Sequence, residues 1–290
     1  MWLVAKISRL TSWAKHLAKR RGSKIISQSV RMFYFHMQPY HKLLDRIFTT
    51  LEEFDCGFTF PLVASIAEKH QDYVTYLKSY PYEIAIHGYK HVRYQHLTPK
   101  QVEQELQFAT QTFQKYKIPY KGFRAPYNNY SEETRQLLDK YDFLWDIGIG
   151  YQPPYQGTFQ FFNYQYENGK KSNYTCVPLN KLSDDLMIDS YNFSAKQIAK
   201  ALTNQLLKAK KENGVVMFDL HPIRIGRREY ISGLQLFLEQ AHKEEAWLPS
   251  VTEAVEYWRK HKNWKHDAPV CCLLTGDIDN FTFWDYLRRF

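Results

Sequence analysis

Residues Val270-Cys-Cys-Leu-Leu-Thr-Gly-Asp-Ile-Asp279 join an unbroken apolar run to a glycine and two carboxylates. The run reads as a buried strand. Asp277 and Asp279 share one side of its extended end, because side chains two residues apart point the same way. The same pattern recurs upstream, where Glu83-Ile-Ala-Ile86 leads into His87, Tyr120–Phe123 into Arg124 and Val215–Leu220 into His221. Further short strands are read at Gly57–Pro61, Phe143–Ile149 and Tyr174–Leu179. Between them lie helical spacings. His41–Phe54 puts Leu43, Leu44, Ile47 and Leu51 on one face, and Thr98-Pro99-Lys-Gln101 is a capping box ahead of Val102, Leu106, Ala109 and Phe113. Ser131 opens a helix to Tyr141, Ser194 opens one through Lys211 that Gly214 stops, and a last helix is read near Thr252–His261. Six or more βα units predict an α/β fold with a parallel sheet, closed into a barrel or doubly wound. In either form functional side chains belong at the C-terminal ends of strands. His87, Arg124, His221 and Asp277 obey that rule, and Asp146, inside its strand, fits it less well.

Charge is distributed unevenly over the 290 residues. Residues 1–44 hold nine of the 39 Lys and Arg and no acidic residue, so residues 45–290 balance 30 positive against 30 negative charges. The basic character therefore belongs to an arm and not to the body. Within residues 1–30, Trp2, Leu3, Ile7, Leu10, Trp13 and Leu17 recur near helical spacing among basic residues. Such a stretch either packs its apolar stripe on the body or lies on an anionic membrane surface. Charges interrupt it too often for a secretory signal, and no run is long enough to span a bilayer. A neutral body argues against nucleic acid as a partner. The four cysteines show no CxxC spacing, so reduced, buried thiols and a cytoplasmic location are expected.

The polar residues at the strand ends each allow two readings. His87 and His91 are either exposed loop histidines or, with Gly88 permitting a sharp turn and one helical turn returning His91 to the same side, a pair of imidazoles for a transition metal. A third, carboxylate ligand would leave positions open for water. Arg124 is either solvated or holds a neighbouring carboxylate in its charged form. His221 is either a histidine at the core's edge or a general acid. Asp277 and Asp279 either begin a turn or divide the roles of base and ligand.

Taken together these segments resemble the polysaccharide deacetylases of the NodB-homology type, carbohydrate esterase family 4. The resemblance covers Leu43–Trp258 and Val270–Phe290. It rests on Phe54-Asp-Cys-Gly-Phe-Thr-Phe60, on Glu83-Ile-Ala-Ile-His-Gly-Tyr-Lys-His91 as the metal-binding motif, on Gly122-Phe-Arg-Ala-Pro-Tyr127 as the arginine motif, and on Phe218-Asp-Leu-His-Pro222 as the segment of the catalytic histidine. One departure is clear. The family's aspartate motif precedes its first helix, whereas here Met32-Phe-Tyr-Phe-His-Met-Gln-Pro39 contains no aspartate. Leu273–Asp279 supplies the missing motif, and its Asp-Ile-Asp spacing resembles a variant in members that act on lipid-linked sugars. The expectation is a circular permutation, in which a distorted (β/α)7-type barrel takes its first strand from the C-terminus. An N-terminal arm of residues 1–41 would precede one catalytic domain of residues 42–290.

The resemblance implies a metal-dependent hydrolase that removes an N-acyl group, acetyl foremost, from an amino sugar of a polysaccharide or glycan. It implies a divalent metal, zinc ahead of other transition metals, held by His87, His91 and Asp279. Asp277 would be the general base with Arg124 orienting it. His221 would protonate the departing amine, with Asp146 as its supporting partner. Two alternatives stand beside this: a deacylase or deformylase of a lipid-linked sugar, favoured if residues 1–30 contact a membrane, and a barrel that binds glycan without catalysis.

Overall fold

Neighbouring residues of the last strand enter two different apolar clusters, and this alternation organises the molecule. The computed structural model describes residues 30–148 and 157–288. In strand β7 (Cys271–Thr275), Cys271 and Leu273 join a cluster that also holds Ala85, Trp145, Ile147, Val177, Val215 and Met217. Cys272 and Leu274 join the larger cluster of Phe60, Ile84, Ile86, Phe123, Cys176 and Phe218. The first set faces the inside of a curved sheet, and the second faces the helices that cover it. All four cysteines are free and buried.

The sheet has seven parallel strands in the order β5-β4-β3-β2-β1-β7-β6. Besides β7 these are β1 (Thr59–Leu62), β2 (Glu83–Ile86), β3 (Gly122–Arg124), β4 (Trp145–Ile147), β5 (Thr175–Val177) and β6 (Val215–Asp219). The seam between β5 and β6 is spanned by loop contacts. Val215 N–H donates to Phe159 O at 2.6 Å, Asn180 N–H donates to Met217 O at 2.9 Å, and Phe162 bridges Cys176. The result is a nearly closed, seven-stranded parallel barrel.

The C-terminal strand lies inside this sheet, between β1 and the end strand β6. β7 pairs along its whole length with β6, from Val215↔Cys271 to Asp219↔Thr275, and meets β1 at Thr59↔Thr275. Beyond the strand, Ile278 N–H donates to Pro61 O at 2.8 Å and its carbonyl accepts from Val63 N–H at 3.3 Å. The segment carrying both aspartates is thereby tied down on either side. Gly276 permits the close approach, since a Cβ there would lie 2.2 Å from the Leu220 carbonyl oxygen.

Helices cover the outside, and their starts match the capping residues. α1 is Tyr40–Glu53, α2 Ala64–Lys69, α3 Gln71–Lys78, α4 Pro99–Lys115 and α5 Glu132–Lys140. α6 is Ala195–Lys211, α7 Pro222–Ile225, α8 Ile231–Lys243, α9 Val251–His261 and α10 Phe283–Arg288. Thr98 and Gln101, Ser131 and Thr134, and Ser194 and Gln197 form capping boxes on α4, α5 and α6. α8 gives no such signal in the sequence. Its N-cap Tyr230 makes no side-chain cap, and Gly233 in its first turn packs on α6, where a Cβ would meet Ala195 O at 2.8 Å.

α9 closes the N-terminal end of the barrel. The Glu83 carboxylate accepts from Thr59 Oγ1 at 2.7 Å, from Thr252 N–H at 3.1 Å and from Thr252 Oγ1. Above this plug the Trp145 ring fills the interior, its Nε1–H donating to Thr252 Oγ1 at 2.8 Å. Gly122 makes room for that ring, because an added Cβ would fall 2.0–2.2 Å from the indole. Gly122→Ala must therefore push Trp145 off its hydrogen bond. A loss of about 3 kcal/mol in unfolding free energy, the upper range for overpacking a core, is expected from urea titration.

The boundary drawn at residue 41 falls inside α1. Residues 30–41 are packed on the body, with Met32, Phe35 and Tyr40 buried and Arg31 Nη1 3.0 Å from Asp189 Oδ1. Residues 1–29, which carry most of the expected amphipathic arm and its membrane contact, lie outside the described residues. Among the described residues no helix is long and apolar enough to cross a membrane.

Candidate functional site

The alternation that sorts the core also decides which polar residues meet. Ala85, Met217 and Leu273 point into the barrel, so His87, Asp219, Thr275 and Asp277 follow on the same side, as does Arg124 after Gly122. These positions lie at the C-terminal ends of the strands, where the barrel opens into a cleft of about 600 Å³. His91, Arg124, Asp219, His221, Asp277 and Asp279 all line it.

His87 and His91 are brought together by a bend, not by the helical turn expected from their spacing. Gly88 supplies the bend with a φ of +74°. His87 is fully buried, and its Nδ1 lies 2.9 Å from the backbone oxygen of Arg124. A carbonyl only accepts, so Nδ1 carries the hydrogen and Nε2 turns its lone pair to the cleft. That nitrogen is 3.3 Å from Asp277 Oδ2 and 3.4 Å from Asp279 Oδ1, and His91 Nε2 is 3.2 Å from the same Asp279 oxygen. Lone pairs at such distances repel unless a cation or proton stands among them. Two donors each about 2.1 Å from one cation, at tetrahedral to octahedral angles, stand about 3.0–3.4 Å apart. The donor set His87, His91 and Asp279, whose ligand atoms lie within 4.8 Å of one another, fits a divalent metal on both counts.

Arg124 holds two carboxylates at once. Its buried guanidinium places Nη1 2.9 Å from Asp277 Oδ1 and Nη2 2.6 Å from Asp219 Oδ2, while Nε–H donates to Asn128 Oδ1 at 3.1 Å. Burial would raise the Asp219 pKa, but Arg124, His221 and His87 together outweigh it and hold this carboxyl below its usual range. For Asp277 burial prevails over Arg124 and His87 and pushes the pKa up to about 6. One carboxylate is thus kept ionised, and its neighbour is poised to exchange a proton near neutrality.

His221 follows β6 and caps α7 ahead of Pro222. Its Nδ1 is 2.7 Å from the fully buried Asp184 Oδ1 and 3.8 Å from Asp219 Oδ1. Burial alone would lower the His221 pKa, yet Asp219 and Asp184 together raise it to about 10. Burial also lifts Asp184 to about 6 against the pull of His221. The imidazolium form is favoured because two carboxylates face one ring.

This corrects the role expected for Asp146. Trp145 and Ile147 point into the barrel, so Asp146 lies on the outer side of β4, where its Oδ1 accepts from Tyr130 Oη at 2.5 Å. The same hydroxyl accepts from Ala125 N–H at 3.1 Å and contacts Ile147 O. Asp146 thereby braces the ends of β3 and β4, and Asp184 takes its expected place beside His221. Asp219 was within reach of sequence reasoning, because it stands two residues before His221 at the end of the same strand. Asp184 had no comparable signal. It follows β5 at the entrance to a π-helical turn, Asp185–Ser190, and only the fold brings it to His221.

One rim of the cleft is aromatic. Tyr127, with a φ of +60°, sets its ring edge-on to His91 at 4.4 Å, and the Arg93 guanidinium lies 4.3 Å from the ring centre. A non-glycine residue in this conformation is held there by its surroundings, as is common beside ligand sites.

Residues 28–144 match the family model described as polysaccharide deacetylase. The matched stretch includes His87, His91 and Arg124 and ends before His221, Asp277 and Asp279. No curated protein sequence matches the chain. Among solved structures, a polysaccharide deacetylase-type protein from Mycobacterium smegmatis superposes with a TM-score of 0.69 at 18% identity, covering 89% of this chain and 87% of its own. One from Pseudomonas aeruginosa PAO1 gives 0.67 at 17% identity, covering 81% and 77%. An allantoinase gives 0.67 at 19% identity with the same coverage, so the fold is shared with proteins of different named activity. The matched segment and the barrel agree: residues 28–144 are similar to the polysaccharide deacetylase family model, and the fold is the one these deacetylase-type structures share.

Proposed function

We propose that this chain is a metal-dependent hydrolase that removes an N-acyl group, acetyl foremost, from an amino sugar in a glycan. The observation that carries the reading is the convergence of three differently tuned sets in one cleft. These are a donor set for a cation (His87, His91, Asp279), a carboxylate held by arginine (Asp277 with Arg124), and a histidine kept protonated by carboxylates (His221 with Asp184 and Asp219). When bound, a divalent metal such as zinc polarises the acyl carbonyl and acidifies water. Asp277, oriented by Arg124, takes the proton of the attacking water. The His221 imidazolium, its Nδ1–H engaged by Asp184, gives the Nε2 proton to the departing amine nitrogen. Water and amide thus become carboxylate and amine with protons balanced. The same reading takes β7 as the displaced first strand of a circularly permuted barrel, supported by its position between β1 and β6.

Release of acetate from N-acetylglucosamine oligomers by the purified full chain tests the proposal. Acetate is expected with metal and not after chelation, and equal release in both conditions would contradict it. A base at about 6 and an acid at about 10 predict a kcat/KM plateau between those pH values.

Asp184→Asn removes one of the charges that raise His221, so the alkaline limb should move to lower pH. Activity at pH 8 should fall about 10- to 100-fold, within what a general acid contributes. An unmoved alkaline limb would detach His221 from the acid role. The raised pKa also affects stability. Its contribution is complete below the unfolded-state pKa of about 6.5 and disappears as pH rises through about 10. Wild type should therefore lose stability across that window more steeply than Asp184→Asn.

A further inference from the structure

Residues 30–35 form a turn of helix with apolar residues on both sides. Met32 and Phe35 are buried on the body, where the Arg227 guanidinium lies 4.7 Å from the Phe35 ring centre. The other side carries Val30, Phe33, Tyr34 and Met37, which share one face by their i, i+3, i+4, i+7 spacing. Met37 continues the turn through its N–H bond to Tyr34 O at 3.2 Å. All four are between 53% and 67% exposed. Phe33 packs edge-on against Phe283 of α10 at 5.1 Å, and Trp284, 49% exposed, extends the patch. A contiguous apolar face of this kind marks an interaction surface.

We propose that this face docks on the surface of an anionic lipid bilayer and sets the mouth of the catalytic cleft against it. The sequence that leads into the face decides the occupant. Residues 1–29 contain seven Lys and Arg, no acidic residue, and Trp2 and Trp13. Residues 45–290 carry no net charge, so the body as a whole offers this stretch no net electrostatic attraction, whereas a surface of anionic headgroups does. A second copy docked through the same face would bring two such basic stretches together, which like charges oppose. The orientation follows from Arg31, Met32 and Tyr286, which belong to the turn and helix forming the patch and also line the cleft.

The test uses the full chain and does not depend on turnover, so it stands apart from the catalytic reading. The chain should co-sediment with vesicles of phosphatidylcholine and phosphatidylglycerol and bind vesicles of phosphatidylcholine alone much less. Phe33→Ser with Met37→Ser should weaken binding about tenfold or more, the scale of withdrawing two large apolar side chains from lipid, with the circular dichroism spectrum unchanged. Should that double variant unfold, Met37→Asp alone, at the most exposed of these positions, gives the same comparison. Wild-type failure to bind, equal binding to both vesicle types, or undiminished binding by a folded variant overturns the proposal. So does a wild-type dimer in light scattering that the substitutions dissolve, since a second copy would then occupy the face.

Discussion

Asp279→Ala is expected to abolish stoichiometric metal binding and to reduce turnover about 1000-fold or more, as several kcal/mol of transition-state stabilisation are lost with the cation. Among the described residues, Asp279 is the carboxylate within 3.4 Å of both His87 Nε2 and His91 Nε2. Without it the remaining donors are two neutral imidazoles, which bring no charge of their own to the cation in a buried setting. His87→Ala should act in the same direction, because His87 is the donor whose orientation is fixed through Nδ1 to the Arg124 carbonyl. The measurement is metal content by mass spectrometry together with acetate release at saturating metal. Both variants retaining metal and full turnover would sink the assignment of this donor set. Metal lost with turnover intact would separate the cation from the chemistry.

Arg124→Met carries the largest expected effect on the fold. The guanidinium is buried between Asp219 and Asp277, at 2.6 and 2.9 Å. Removing it leaves two buried carboxylates facing each other, with the His221 ring, 3.8 Å from Asp219, left to offset their charge. Breaking a buried pair in this way costs about 3–5 kcal/mol, readable as a lower midpoint in urea unfolding. The pH dependence gives a sharper check. In the wild type Arg124 depresses the Asp219 pKa, so its contribution to stability is present above the unfolded carboxyl value near 3.9 and lost as pH falls below it. In Arg124→Met that contribution is absent, and protonation relieves the repulsion. The gap between the two proteins should therefore be widest near neutrality and close toward acid. A gap independent of pH would mean that Arg124 acts only by filling space.

The boundaries of the elements were largely legible along the chain. Thr98, Ser131 and Ser194 announce α4, α5 and α6, because a helix start needs a side-chain acceptor for its free N–H groups. The apolar runs before His87, Arg124, His221 and Asp277 are strands with those residues at their ends. α8 was not legible, since its start carries no cap and its glycine answers to packing on α6. The side of a strand on which a residue lies was only half legible. Asp146 has apolar neighbours like any other core carboxylate, and Trp145 with Ile147 inside the barrel is what turns it outward.

By itself the sequence determined which residue types stand at strand ends and in what local order, because period-two alternation and capping act over a few residues. It also concentrated the positive charge in the first 44 residues. Only the tertiary structure decided that the C-terminal strand enters between β1 and β6, bringing Asp277 and Asp279 to histidines nearly 200 positions earlier. It alone gave His221 to Asp184 in place of Asp146. Both outcomes depend on barrel curvature and on which face of a strand is buried, and these arise from contacts between segments far apart in the chain.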